Sequence, residues 1–286
     1  MKSPWLPNRI KLHGHEWLWR SCDQLNHEKY NQRIRASAHW PFMYSWYWDA
    51  VCSKWGAYVL ADYEEVFPVY QKWKWGVVPM LVTPYCVKWI EGKSSIAEYV
   101  ATRFMGFKNL AFPFELTGAK PTRAQILSKN SEWTASGDLK RNIKKAEQQG
   151  YEFEASGTWQ NFTHLMKSFH PYPWNFDDEC AMHRLYEKSS KLGVGFLSEV
   201  KLGNELVASY FYILQNSQLL FIQNVSDSQH RAGSPMALLI HSILESFSIK
   251  NDSLDIHFMG SANEGVAEYN KKFGAVDFEY YRLKNY

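Results

Sequence analysis

The chain has few cysteines, no long apolar run and almost no excess of one charge, and each shortage removes a class of protein. Cys22, Cys52, Cys86 and Cys180 are spread over 286 residues with no CxxC pair, which leaves neither a zinc ribbon nor a thioredoxin-like redox site supported. Reduced, mostly buried thiols are the expectation. No stretch approaches the roughly 20 apolar residues that a membrane helix needs. Residues 1–11, punctuated by Pro4 and Pro7, lack the ~7–15-residue apolar segment of a secretory leader. Membrane insertion is therefore not expected, and the cytoplasm is the expected compartment. A formal net charge of +3 is too small for a nucleic-acid scaffold, which needs several Lys or Arg engaging phosphates together. DNA is not an expected partner, and any anion site is local.

The known nucleotide and hydrolase signatures are missing too. There is no G-x-S-x-G elbow, P-loop or dinucleotide fingerprint, so hydrolase, NTPase and Rossmann readings have no support. His13-Gly14-His15-Glu16 looks superficially like a metal pair, but no Cys or carboxylate cluster converges on it. No metal role is assigned.

What is plentiful is aromatic: 13 Trp, 17 Tyr and 17 Phe, suited to core packing and to stacking clefts alike. Residues 27–35 are helix-compatible, and Tyr44, Tyr47, Trp48 and Val51 repeat at the helical period, predicting an amphipathic helix. Apolar runs at 57–61, 66–71 and 77–82 predict a strand meander, with Lys72, Trp73, Lys74 and Trp75 between the second and third. A helix at 96–105 and a strand at 109–114 follow, and Pro121 ends the first half.

The second half is better punctuated. A strand at 124–127 leads to a helix at 139–149 stopped by Gly150. Helices at 158–169 and 177–192 precede strands at 195–202, 205–215 and 218–225, joined by the two-residue turns Gly203-Asn204 and Asn216-Ser217. A helix at 234–249, a strand at 253–259, a helix at 262–273 and a strand at 276–283 complete the chain. The fold class expected is mixed α/β, in two modules at 1–121 and 122–286.

That element order, with particular residues, resembles the Fem-type and related GCN5-like N-acyltransferases, in which two acetyltransferase-like modules share one chain. The residues carrying the resemblance are Tyr44-Ser45-Trp46-Tyr47-Trp48-Asp49-Ala50-Val51, Trp55, Phe67-Pro68-Val69 with Lys72 and Lys74, Arg141-Asn142-Ile143-Lys144-Lys145-Ala146 with Gly150, the 233–239 helix start, Gly260-Ser261, and Tyr269 with Phe273-Gly274-Ala275. Two segments depart from the pattern. Tyr85-Cys86-Val87-Lys88-Trp89 replaces a glutamine-rich stretch after Pro84, and His257-Phe258-Met259 replaces Asp-Phe-Glu before the Gly-Ser pair.

The resemblance implies transfer of an acyl group from acetyl-CoA or another acyl-CoA to a small-molecule or peptide amine. Such transfer needs a positioned donor, a neutral amine and a stabilised oxyanion, but no protein nucleophile. In that fold the donor's pyrophosphate sits on amides at a helix N-terminus, which here corresponds to residues 229–235. There Gly233 allows close approach, Arg231 adds a cation, Ser234 stands at the helix start, and Pro235 suits the first turn.

On the basic helix face of Lys140, Arg141, Lys144 and Lys145, Arg141 and Lys145 are candidates for a phosphate-bearing substrate, against a merely solvated face. Trp46 is a candidate for the acceptor cleft. His257 stands where the family's acid is lost and is the candidate base, against a core histidine. Tyr269 is the candidate acid for the leaving thiolate, against simple packing. Two alternatives stay open: aminoacyl transfer from a charged tRNA to a cell-wall precursor, as in the Fem branch, and a degenerate binding protein without turnover.

Overall fold

The computed structural model describes residues 6–74, 76–128, 135–170, 175–248, 254–259 and 263–285. Trp75, Gly260 and Ser261, which carry part of the sequence argument, lie outside them. The chain forms two compact units, one of Met1–Thr122 with Glu279–Tyr286 and one of Arg123–Phe278. The closing segment thus counts with the first unit. None of the four cysteines is in a disulfide. Among the described residues no helix is long and apolar enough to cross a membrane.

The first unit opens with a hairpin that the sequence did not announce, β1 (Arg9–Leu12) and β2 (His15–Ser21), paired antiparallel. Its turn is His13-Gly14, both at positive φ. The histidines that look like a metal pair therefore mark a turn. Helix α1 (His27–Ala36) starts on Asn26, whose side chain accepts the Lys29 amide, a standard N-cap. Helix α2 (Ser45–Val51) was expected to be amphipathic, but it is buried at every position except Asp49. The Asp49 carboxylate accepts the Trp55 indole N–H at 2.8 Å, so even the polar position is used inward.

Strands β3 (Trp55–Leu60), β4 (Glu65–Lys74) and β5 (Val78–Val82) form the expected meander and pair antiparallel, with β2 on the far side of β3. Every residue of β3 is buried, as suits a strand covered on both faces. Helix α3 (Ser94–Arg103) carries the chain to β6 (Phe107–Phe112), parallel to β5, and residues 281–285 then pair antiparallel with β6. The β5–β6 seam stays closed past its last ladder pair: Thr83 donates to the Asn109 carbonyl and Ile90 to that of Ala111, each at 2.8 Å.

The second unit repeats this layout element by element. In the first, β2, two helices, three antiparallel strands, a helix and a parallel strand follow one another. In the second, the same succession is β8 (Tyr151–Glu154), α5 (Trp159–Phe169), α6 (Phe176–Lys191), β9 (Gly195–Leu202), β10 (Glu205–Gln215), β11 (Gln218–Ser226), α7 (Pro235–Ser248) and β12 (Asp255–His257). Strand β7 (Lys120–Leu127) pairs antiparallel with β12, as the chain's end does with β6. Helix α4 (Gly137–Gln148) precedes β8, and α8 (Glu264–Lys271) follows β12, before β13 (Val276–Asn285). Gly150 adopts φ 84°, the left-handed helix stop that its position predicts. Asn216 and Ser217 both adopt positive φ, matching a two-residue hairpin.

One face of this sheet packs on α4 and α7 through Val200, Tyr210, Phe221 and Ile256 against Leu139, Ile143, Leu239 and Ile243. At roughly 1.5–3 kcal/mol for each fully buried large apolar side chain, such contacts outweigh surface ion pairs worth about 0–1 kcal/mol each. On the other face Phe211 meets Tyr186 edge-on, and Trp159 stacks on Tyr186.

Glu199 of β9 is almost wholly buried and is satisfied by the start of α5. Its carboxylate accepts the Thr158 amide at 2.8 Å and the Asn161 side-chain N–H at 3.0 Å. A buried carboxylate at a helix N-terminus is favoured by both the orphan amides and the helix dipole. Glu199→Ala should cost about 2–3 kcal/mol, because charged hydrogen bonds are lost and buried donors are stranded. Chemical denaturation monitored by circular dichroism checks this, with Glu199→Gln intermediate.

Asp277 is held below its ordinary value of 3.8, first by the Gln125 amide and then by the Lys271 ammonium. A depressed folded pKa gives stability that is fully present above the unfolded value and lost as pH falls through the folded one. The stability gap between the natural protein and Asp277→Asn should therefore be constant above about pH 5 and shrink below 3.8. A gap independent of pH down to acid unfolding would contradict it.

Candidate functional site

The two units differ at one seam. In the first, β5 is paired with β6 through Val82. In the second, among the described residues, β12 pairs with the start of β11, from Gln218 opposite Asp255 to Leu220 opposite His257. The Phe258 amide donates to the Gln125 carbonyl of β7 at 3.0 Å, as alternation requires of a strand between two partners. The next amide on the β11 side, that of Met259, turns instead onto His257 Nδ1 at 2.8 Å, with Met259 at φ 54°. The remainder of β11, residues 221–226, is laddered to β10 on its other side. A bulge reinforces the divergence, since Phe211 faces Gln223 while Tyr212 faces Phe221, leaving Ile222 as the extra residue. Bulges bend a strand and end its pairing.

An aromatic ladder fills the floor of this divergence. Tyr269 meets Phe273 at 5.5 Å, Phe273 meets Phe258 at 6.2 Å, Phe258 stacks on Phe221 at 5.2 Å and Phe221 on Tyr210 at 4.6 Å. Burial pushes the Tyr210 hydroxyl well above the usual tyrosine range, against a hydrogen bond from Asn224. The Tyr269 hydroxyl is likewise raised, by burial first and by Tyr210 second. Both stay protonated at neutral pH.

Beyond β11 the chain makes a 3-10 turn, Ser228–Gly233, capped by Asp227 on the Gln229 amide. Ser234 follows in the left-handed region at φ 60°, and its amide turns back to the Arg231 carbonyl. Pro235 opens α7, and the Ala237 amide goes to the Ser234 carbonyl. Arg231 is exposed beside this helix start.

Gly233 is required here, but for a neighbour's sake. A Cβ on it would lie 2.4 Å from the Tyr151 hydroxyl oxygen and 2.5 Å from the ring. Tyr151 in turn bonds His230 Nδ1 at 2.9 Å. Lys145 donates to the Ala232 carbonyl at 2.8 Å and so ties α4 to the turn, whereas Arg141 is exposed and paired with Asp138 one turn back.

The structure thus gathers Arg231, Gly233, Ser234 and Lys145 around one turn and sets Tyr269 on the aromatic ladder. His257 lies elsewhere, on the opposite side of β12 from Leu254, Ile256 and Phe258. It is completely buried, and its Nδ1 accepts the Met259 amide at 2.8 Å. Trp46 belongs to the first unit and is 9% exposed, packed on Tyr47, while Trp73 is 46% exposed. Tyr151, Tyr210 and Asn224 join the site although the sequence analysis did not single them out. No spacing links residues this far apart in the chain.

This mixed α/β fold occurs in solved structures of low sequence identity. Solved structures that share it include FemX, with a TM-score of 0.63 at 9% identity over 91% of this chain and 96% of that one. L-PGS from Bacillus licheniformis has a TM-score of 0.55 at 11% identity, covering 90% and 91%. The C-terminal domain of a protein named as a lysylphosphatidylglycerol synthetase, from Agrobacterium fabrum, has a TM-score of 0.55 at 10% identity, covering 91% and 92%. No family model matches the sequence, and no curated protein matches it.

Gly233→Ala should displace Tyr151 and cost about 1–3 kcal/mol, as overpacking does. Adding Tyr151→Ala should give less than the sum of the two single losses. Strict additivity in the double-mutant cycle would show that the two residues do not meet.

Proposed function

We propose that this chain is an acyltransferase that moves an activated acyl group onto a small-molecule or peptide amine, with the donor held by the second unit. The observation that carries the reading is the stretch of β11 that no described residue of β12 pairs. Backbone groups of residues 221–226, left by β12, suit an acyl-pantetheine arm whose own amides pair as an added strand. At the far end of that edge, the N-terminus of α7 and the Arg231 guanidinium suit a pyrophosphate.

Transfer needs the donor carbonyl and the amine placed together, and positioning of this kind supplies several kcal/mol of barrier reduction by itself. Tyr269 and Tyr210, both protonated, are the hydroxyls suited to donate to a leaving thiolate or a developing oxyanion. His257, with its Nδ1 lone pair held by Met259, is a positioning residue for the end of β12. Arg141, exposed on α4 beside Asp138, is the candidate to meet a phosphate-bearing acceptor, Trp46 packs beneath the first unit's surface, and Lys145 supports the turn.

Acyl-CoA is the first donor reading. A second, aminoacyl-tRNA, is favoured by the match to FemX, since the Fem branch that the sequence resembles implies that donor. Calorimetry with acetyl-CoA separates them. Binding is expected, with Arg231→Ala weakening it about tenfold, the worth of one charged hydrogen bond. No heat at millimolar ligand, together with transfer from charged tRNA in a filter assay, would replace acyl-CoA by the second donor. Binding without release of coenzyme A across a panel of amines would identify a degenerate binding protein.

A further inference from the structure

Next to the turn that precedes α7, three residues from separate segments turn toward one point: Glu205 at the start of β10, Asp227 just after β11, and His230 within the 3-10 turn. One nitrogen and two carboxylate oxygens, one from each residue, all lie within 4.8 Å of one another. Asp227 is nearly buried, at 5% exposure, and one of its oxygens is turned onto the Gln229 amide at 2.7 Å. Two carboxylates brought this close repel unless a cation stands between them.

One spacing matches two ligands on a shared metal ion. His230 Nε2 stands 3.4 Å from Glu205 Oε1. A charge-assisted N–H···O bond is about 2.7–2.9 Å long. Two ligands each ~2.1 Å from a tetrahedral Zn2+ stand roughly 3.4 Å apart. The other ring nitrogen of His230 meets the Tyr151 hydroxyl at 2.9 Å, an outer partner of the kind that fixes the tautomer and aims a ligating imidazole. With Nε2 on the ion, Nδ1 carries the proton and donates it to the Tyr151 oxygen.

We propose that Glu205, Asp227 and His230 form a divalent-cation site for a borderline metal of the Zn2+ or Co2+ type, the class that takes imidazole together with carboxylate. The ion staples the start of β10 to the turn before α7. The site shares its turn with Arg231, but nothing in the proposal depends on the transfer reaction.

The test uses the full chain, freed of metal by chelator and desalted, and titrated with Co2+. Expected is a saturable visible d–d absorption at one equivalent, displaced by Zn2+, with a rise in melting temperature on either metal. Affinity should fall by at least about tenfold in His230→Gln and in Glu205→Gln, and by about tenfold in Tyr151→Phe through loss of the outer hydrogen bond. Glu205 is exposed, so its variant folds like the parent by circular dichroism and keeps the test decisive if another variant does not. The absence of a saturable Co2+ band in the natural protein would overturn the site. A band of unchanged affinity in both Glu205→Gln and His230→Gln would overturn it equally.

Discussion

Met259, at φ 54°, turns its amide back onto His257 Nδ1, and the opening of the second sheet rests on that turn. That amide is the next one on the β11 side of β12, so the ladder between the two strands ends there, while the Phe258 ring stays in the core on Phe221. A strand edge left without a partner is ordinarily a liability, because its amides and carbonyls invite pairing. Here the edge is short, follows a bulge and ends at a helix N-terminus, so what it invites is a ligand with amides along its length and a negative charge at its end.

The duplicated layout makes the first unit an internal control. It has the same succession of strands and helices, yet its β5–β6 seam continues through Thr83 and Ile90, with Trp89 and Glu91 buried beside it and bonded to each other. The segment that would border a groove is thus built into the core. Two modules of like topology need not share an activity, since function resides in the site rather than in the fold.

Around the turn before α7, side chains serve one another before they serve any ligand. Gly233 makes room for Tyr151, Tyr151 orients His230, and Lys145 holds the Ala232 carbonyl. A glycine and a lysine beside a helix start suggest contact with a phosphate when seen in sequence. Their neighbours in space give them structural duties and leave Arg231 as the exposed cation. His257 is similar: alternation along β12 places it on the correct side, but the bond from the Met259 amide sets what its ring can do.

The sequence by itself determined most of the second unit's framework. Strands β9 and β10 run over the residues that the Gly203-Asn204 and Asn216-Ser217 turns bound, and α4 stops at Gly150, because turns, caps and helical periodicity are decided by residues within a few positions of one another. The hairpin of β1 and β2 and the short strand β8 escaped notice, since each is brief and is held by pairing with a partner rather than by a pattern of its own. Tertiary structure alone decided that α2 is buried nearly all round, that Glu199 caps α5, that β11 and β12 part after three pairs, and that residues 205, 227 and 230 converge. Each of these is a meeting of groups far apart in the chain, and no local rule of spacing encodes which distant side chain will fill a given place in a packed core.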